Sequence, residues 1–545
     1  MNNDETYEYL LKNANIVDGL NNKEFKGSIL IKDDKISRII TNENDLKGIK
    51  ANKTIDVHSR YVFPGFIDFH GHSDLQVLRD PTMVGKIQQG ITTEIAGNCG
   101  VGIFPADAMN ARACKNIIQA TQDVLGKAYI CWSDFNSFVS CIEKKGSGTN
   151  MMFLQSHSAL RAAVIPGNCN REATSEEIKL MCNLLDESLS QGCIGLSSGL
   201  YYAPCLYASQ KELLALLTIV KKRDKFFAVH HRCEGDDIIS SIKEILELAR
   251  ITGVRLEISH LKAIGVENQK YVDQILSMID SARKENISVG FDQYPYDFGS
   301  TSITSMLPPS TLKLTREELK EALIDKVERE KIKELIKKGE GFDSLIKMCG
   351  FENIRIMYLE HHRELEGLNF KELSEHLYSK TDEESLFSAF FHIILIEDGI
   401  ALMEDVTQSV ESLEKILKHD LMCFGTDGLY SSTSSSIPTH PRSYSAAVHY
   451  LELFYKERHT LPLEELIYRM SGKPAKRLAL NDRGSIREGN KADLVICDLE
   501  NLRDLSTLSN SRVAPKGIDN VFVNGELVYE NNKIIGEPKG QIIRL

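Results

Sequence analysis

His70-Gly71-His72 stands where an apolar run ends. Along an extended chain side chains alternate, so His70 and His72 project to the same face. Other apolar runs close on single residues with similar chemistry. Cys99 lies in Gly97-Asn98-Cys99-Gly100, His230 follows Phe226 to Val229, His260 follows Val254 to Ser259, and Asp427 lies in Gly425-Thr426-Asp427-Gly428. Each has an ordinary reading when taken alone. A strand-end histidine is commonly a hydrogen-bonded structural residue, a free cysteine a small buried side chain, and an Asp-Gly pair a turn. Convergence of all five segments at one end of one fold reverses those readings. Thiolate and imidazole are donors that zinc prefers, and three protein ligands plus a water make a catalytic zinc site. Such a site polarises a carbonyl and acidifies water, and a neighbouring carboxylate moves the proton to a leaving group. Asp427 fits that carboxylate role.

The spacing of the intervening elements predicts how these residues meet. Strand-like runs fall at Val62 to Asp68, Thr92 to Ala96, Met151 to Leu154, Cys193 to Leu196, Phe226 to Val229, Val254 to Ser259, Ile287 to Phe291 and Leu421 to Gly425. Helical patterns separate several of them. One opens with the capping box Thr174 to Glu177 and carries Ile178, Met181, Leu185 and Leu189 on one face. Others run from Asp236 to about Ile251 and from Glu267 to about Lys284. Strands starting about 30 residues apart match βαβ units, and eight of them close a (β/α)8 TIM barrel whose active site lies at the strands' carboxyl ends. The stretch between Asp292 and Leu421 is too long for one loop and helix. Its charged helical pattern predicts a helical insertion over about 311–418. Both termini read as short strands, with hairpin signals at Asp33-Asp34 and Asn524-Gly525. The expected organisation is therefore 1–61 and 481–545 as two halves of a small β-sandwich domain, with 62–480 as the barrel.

Bulk properties narrow the partners. The chain has 545 residues, enough for more than one compact unit. Its net charge of −12, with no basic block, argues against nucleic acid and anionic membrane as partners. No apolar stretch has the length of a membrane span. Met1 to Tyr9 lacks a basic start followed by an apolar run, and twelve cysteines follow no framework spacing, so free thiols and a cytoplasmic location are expected. Oligomeric state is not legible.

With these segments placed, the chain resembles the amidohydrolase superfamily and, within it, the D-aminoacylases (N-acyl-D-amino-acid deacylases), over nearly its whole length. The resemblance rests on Pro64 through Asp74, Gly97-Asn98-Cys99-Gly100, Gly195-Leu196-Ser197-Ser198-Gly199-Leu200-Tyr201-Tyr202, and His230-His231-Arg232. It continues through Ile258-Ser259-His260-Leu261-Lys262, Tyr294-Pro295-Tyr296, Gly425-Thr426-Asp427-Gly428, His440-Pro441-Arg442 and Ala492-Asp493-Leu494-Val495. The Gly-Asn-Cys-Gly segment is the specific part. It supplies a cysteine where hydantoinases and dihydroorotases use a carboxylated lysine from the fourth strand, and Cys193 to Ser197 contains no lysine.

The resemblance implies a tight zinc site at Cys99, His230 and His260, and a second, weaker site at His70, His72 and Asp427. It implies Tyr202, Lys262, Tyr294, Ser300 and Arg442 as substrate-pocket residues. Arg442 would hold the substrate α-carboxylate, since a guanidinium fork binds a carboxylate bidentately. The implied reaction is zinc-dependent hydrolysis of an N-acyl-D-amino acid with Asp427 as acid–base. A cyclic-amide hydrolase and a non-catalytic barrel scaffold are the alternatives. The family pattern His-x-Arg selects His230 over His231. His157 reads as structural, His361-His362 as surface, and Cys233 as packing. Departures fall after Arg442, where Ser445, Ala447 and His449 replace a glycine, an aromatic and a second arginine. Those positions shape the side-chain pocket, so the acyl group and amino-acid side chain stay open.

Overall fold

The structure, a computed structural model, describes residues 6–74, 76–105, 132–167, 169–397, 401–429 and 438–545. Strands β1 (Thr6–Ile16), β2 (Phe25–Lys32), β3 (Lys35–Ile40), β4 (Lys50–Asp56) and β5 (Tyr61–Pro64) begin the chain. The next seven are β6 (Phe66–Asp68), β7 (Ile91–Ala96), β8 (Asn150–Ser156), β9 (Gly195–Gly199), β10 (Phe226–His230), β11 (Arg255–Ile258) and β12 (Val289–Gln293). Then come β13 (Phe298–Ser302), β14 (Ile354–Leu359), β15 (Ala401–Val406) and β16 (Met422–Phe424). The chain ends with β17 (Leu494–Cys497), β18 (Ile518–Val523), β19 (Glu526–Glu530) and β20 (Lys533–Ile534).

β6 to β12 and β16 form an eight-stranded sheet, all neighbours parallel, in the order β16-β12-β11-β10-β9-β8-β7-β6. Its two edges meet just beyond the strand ends. The Phe69 amide donates to the Phe424 carbonyl at 3.1 Å, the Asp427 amide to the His70 carbonyl at 2.7 Å, and Gly71 bridges Gly428. One apolar cluster joins Ile67, Ile95, Leu154, Phe226 and Cys423, which come from strands spread around the sheet and so fill the barrel interior. A larger cluster packs the barrel wall against its helices, including Ser175–Ser190 with the expected Thr174–Glu177 capping box.

All eight predicted barrel strands are present, with one change. The run from Val62 to Asp68 is broken at Gly65. Tyr61–Pro64 pairs with β1 and β17 in the terminal sheet, and only Phe66–Asp68 belongs to the barrel. A side chain at 65 could not pass, since its Cβ would stand 2.1 Å from Thr92 Oγ1. Strands from both termini make one nine-stranded sheet, and the Asn524-Gly525 turn has both residues at positive φ, as a type I′ hairpin requires. No helix among the described residues is long and apolar enough to cross a membrane.

The region between β12 and β16 is not purely helical. Helices Arg316–Ile324, Lys326–Lys338, Phe370–Tyr378 and Glu383–Ile396 share a core with a three-stranded antiparallel sheet, β13-β15-β14, that starts before residue 311. The helix Val410–Lys418 packs its Leu413, Ile416 and Leu417 into the barrel's own core instead.

Candidate metal centre

The ligand-type residues gather at the carboxyl ends of the strands. His70 and His72 follow β6, Cys99 follows β7, His230 closes β10, His260 follows β11 and Asp427 follows β16. Two groups of side-chain donors have all their ligand atoms within 4.8 Å of one another: His70, His72, Cys99 and Asp427, and Cys99, His230 and His260. Cys99 belongs to both. Its Sγ lies 3.2 Å from His70 Nε2 and 3.3 Å from His260 Nε2. Oδ1 of Asp427 lies 3.2 Å from His72 Nε2 and 3.4 Å from His70 Nε2.

Local backbone explains why these residues turn inward. Cys99, His260 and Asp427 sit at φ of 52°, 34° and 49°, the left-handed region that non-glycine residues seldom adopt. The turn at Cys99 is held against β9, where Gly100 N donates to Ser197 Oγ at 3.1 Å. The approach is so close that a Cβ at Gly199 would stand 2.2 Å from the Cys99 carbonyl oxygen. Glycine at 199 and serine at 197 are thus part of placing the thiol.

Carboxylates stand behind the outer ring nitrogens of two ligands. Asp292, in β12, lies 3.0 Å (Oδ1) and 3.2 Å (Oδ2) from His70 Nδ1, and its Oδ1 accepts from the His260 amide at 2.9 Å. Glu234 lies 3.1 Å from His260 Nδ1 and accepts from Lys262 Nζ at 2.7 Å. A bound metal would take the Nε2 lone pairs that face Cys99, with the Nδ1 proton of His70 held by Asp292; at His260 Nδ1 the Lys262 ammonium also lies 3.0 Å away. Behind β6, the fully buried Lys86 donates to Asp68 at 2.6 Å and reaches Glu94 at 3.4 Å, while Thr426 donates both its amide and its hydroxyl to Asp68. That network ties the strand bearing His70 to the strand bearing Asp427. Sequence reasoning assigned no role to Asp292, Glu234 or Lys86. The available signal for Asp292 was an acidic residue on the inward side of a strand.

The residues fit a thiophilic divalent metal. His230 is buried, yet neither ring nitrogen has a hydrogen-bond partner, an uncommon state for a buried imidazole. Burial opposes ionisation of Cys99, but the charges of His70 and His260 and contact with His230 outweigh it and hold the thiol well below its ordinary pKa. Buried thiolate, imidazole and carboxylate are the donor set that zinc takes. A third group, Asp280, His419 and Asp420, already has Arg283 3.0 Å from Asp420 and 3.7 Å from Asp280.

Four of the expected pocket residues, Tyr202, Lys262, Tyr294 and Arg442, contact the donor residues or one another. Tyr202 stacks edge-on to His230 at 4.9 Å between rings, Lys262 binds behind His260, and Arg442 lies over the Tyr294 ring at 4.8 Å. Ser300 lies on β13, its hydroxyl 3.5 Å from Met357 Sδ. Arg442 is already partly engaged: its Nη1 pairs with Asp427 Oδ2 at 2.8 Å, while its buried Nε has no hydrogen-bond partner. Burial raises the Asp427 pKa, but Arg442 first and then His260 and His72 lower it well below the usual carboxylate range.

Other singled-out residues lie apart. His231 turns to Ser241 at 2.9 Å, and His157 bonds Ser198 and Glu212. Cys233 donates to Asp343, and the His361 side chain is exposed. His449, at the place of a family arginine, stacks on Tyr296 and pairs with Asp504.

A model of the amidohydrolase family matches residues 61–528. D-aminoacylase of Alcaligenes xylosoxydans xylosoxydans is 27% identical over 540 residues, 99% of this chain and 98% of that protein. Among solved structures, N-acyl-D-glutamate deacylase from Bordetella bronchiseptica, in complex with zinc and a phosphonate mimic of the tetrahedral intermediate, superposes with a TM-score of 0.82. The identity is 25%, over 99% of this chain and 100% of that one. A D-aminoacylase structure concerned with its binuclear metal centre, with one-metal activation and second-metal attenuation, has a TM-score of 0.79 at 25% identity, with 99% and 100% coverage.

Proposed function

The chain belongs to the amidohydrolase family, and from that premise we infer its reaction, the hydrolysis of the amide bond of N-acyl-D-amino acids to a carboxylate and a D-amino acid. Full-length similarity to a D-aminoacylase and to a zinc-bound deacylase supports the substrate class. The observation that carries the chemistry is the pair of donor groups sharing Cys99. Cys99, His230 and His260 would hold zinc tightly. His70, His72 and Asp427 would complete a second, weaker site beside it. Zinc bound there supplies Lewis acidity toward an acyl carbonyl and a water.

The protein's own groups do the rest. Asp427 takes a proton from the attacking water and returns it to the leaving nitrogen. Arg442 binds the substrate α-carboxylate, which competes with Asp427 for the guanidinium and so frees Oδ2. Tyr202 and Tyr294 wall the site, and Lys262 holds Glu234 against His260 Nδ1. A cyclic-amide hydrolase of the lysine-bridged type is disfavoured, because β9, Gly195–Gly199, offers no lysine and its Ser198 is bound to His157.

Replacing Asp427 with Asn tests the assignment. Turnover of N-acetyl-D-methionine should fall at least about 100-fold, the lower range for losing a positioned acid–base, with zinc retained at the first site. A variant with wild-type kcat would refute it.

A further inference from the structure

The insertion reaches the metal centre through one buried carboxylate. Asp343 stands between the insertion's helices Lys326–Lys338 and Leu345–Cys349 and is 2% exposed. Its two oxygens accept three hydrogen bonds, all from the loop that follows β10. Oδ2 takes the Glu234 amide at 2.6 Å, and Oδ1 takes the Gly235 amide at 3.0 Å and the Cys233 thiol at 2.7 Å. The fit is close, since a Cβ at Gly235 would stand 2.6 Å from Asp343 Oδ1 and 2.3 Å from Met348 Sδ.

That loop carries Glu234, whose carboxylate stands beside two of the first-site donors. Oε1 lies 3.1 Å from His260 Nδ1, and Oε2 lies 3.6 Å from His230 Nε2. The Glu234 backbone is gripped from both sides. Its amide goes to Asp343, and its carbonyl accepts from the Ile264 amide at 2.7 Å. Ile264 packs into the insertion's core, and the amide of Gly265 donates to the Thr407 carbonyl, just after β15, at 3.0 Å. The insertion thus holds both loops across which Glu234 and His260 face each other. A surface pin joins the same segments, where Lys347 meets Asp236 at 2.7 Å. Hydrogen bonds to an ionised acceptor are roughly twice as strong as neutral ones, whereas an exposed ion pair contributes little. The buried carboxylate is therefore the contact that fixes the Glu234 backbone.

We propose that Asp343 is a positioning residue for the metal centre: by fixing the Glu234 backbone it holds the Glu234 carboxylate against His260, so that the insertion helps set zinc affinity at the first site. This rests on the reading of Cys99, His230 and His260 as the tight zinc site, and not on the identity of the substrate.

The test titrates metal-free full-length protein with zinc against a chromophoric chelator. In Asp343→Asn one backbone amide of the loop loses its acceptor, because an NH2 group cannot accept. First-site affinity should fall about tenfold, the loss typical of an orienting contact, while the circular dichroism stays that of wild type. Gly235→Ala presses a methyl on Asp343 Oδ1 and should weaken the site by about threefold or more. Lys347→Met cuts the surface pin and should leave the affinity within about twofold of wild type. Adding Asp343→Asn to Glu234→Gln should cost less than about twofold beyond Glu234→Gln alone, since a residue that acts through another has no separate effect once that one is changed. The inference is overturned if Asp343→Asn, or Gly235→Ala where the first does not fold, stays within about twofold of wild type. An equal loss in Lys347→Met, or losses that multiply in the double variant, would overturn it too. If the wild-type chain takes up no tight zinc, the metal reading falls and takes this inference with it. If the affinities behave as expected but no N-acyl-D-amino acid is hydrolysed, the positioning role stands and only the proposed reaction falls.

Discussion

Asp292→Asn isolates the contribution of a residue that ligates nothing. Asp292 Oδ1 accepts from the His260 amide at 2.9 Å, and both carboxylate oxygens lie near His70 Nδ1, Oδ1 at 3.0 Å and Oδ2 at 3.2 Å. An asparagine must keep its oxygen on the His260 amide, because its NH2 group cannot accept. The NH2 then stands in place of Oδ2 and opposes the Nδ1 proton, while the one neutral oxygen is shared with the His260 amide. The balance shifts toward a proton on Nε2, the nitrogen that faces Cys99 at 3.2 Å and Asp427 at 3.4 Å. A protonated Nε2 cannot ligate, so the group of His70, His72, Cys99 and Asp427 loses one donor unless the ring tautomer is forced against its hydrogen bond. Loss of such an orienting partner typically costs 10- to 100-fold in metal affinity, or about 1.4–2.7 kcal/mol. Because His260 keeps its amide partner and its Glu234 contact, the weakening should fall on the second site more than the first. Titrating metal-free protein with zinc against a chromophoric chelator resolves the two affinities. If both stay within about twofold of wild type, well under the expected loss, the tautomer argument is wrong.

Five further outcomes are expected. Dialysis against a chelator should abolish hydrolysis and lower the melting temperature, and zinc should restore both. After gel filtration of the zinc-loaded protein, emission spectrometry should find one retained equivalent, and less than that would count against the tight site. Arg442→Lys should raise KM for N-acetyl-D-amino acids about tenfold or more, since an ammonium loses the bidentate fork; an unchanged KM would remove Arg442 from carboxylate binding. Lys86→Met leaves Asp68 and Glu94 buried without their cation, and urea unfolding should show a loss of about 3–5 kcal/mol. Burial, opposed by Arg477, raises the Glu257 pKa to about 7, above the roughly 4.3 of an unfolded glutamate. Its stabilising contribution is therefore full below that lower value and is lost as pH rises toward 7, by up to about 4 kcal/mol. Glu257→Gln should flatten this part of the stability–pH curve, and an unaltered slope in urea unfolding would refute it.

What the sequence disclosed follows from how local each signal is. The barrel strands are runs of consecutive apolar residues, and their spacing is local. Their carboxyl ends were harder to place. β9 was expected to end at Leu196 but continues through Ser197, Ser198 and Gly199. Those residues are polar because they serve the site, Ser197 by holding the Cys99 turn and Ser198 by bonding His157. β12 likewise runs on through Asp292 and Gln293. The insertion's sheet was only partly marked, since β14 (Ile354–Leu359) is an apolar run but its two partners are not. β13 reads Phe-Gly-Ser-Thr-Ser, β15 carries adjacent Glu404 and Asp405, and their pairing joins segments about 100 residues apart. Arg442 carried its type in the sequence but not its partner, because the ion pair with Asp427 depends on how the chain after β16 folds back.

The three left-handed residues explain why this centre depends on contacts outside the ligand set. Each such residue costs of order 1–3 kcal/mol and persists only where its surroundings over-determine it. Here each is held by the strand of another site residue. The Asp427 amide donates to the His70 carbonyl at 2.7 Å, the His260 amide to Asp292 at 2.9 Å, and the residue after Cys99 to Ser197 at 3.1 Å. The bond from Asp427 to His70 also closes the barrel between its first and last strands. Donor geometry and barrel closure are thus one structural event. A substitution at Thr426 disturbs both, and one at Ser197 or Asp292 disturbs the donor geometry, although none of the three supplies a ligand atom to either donor group.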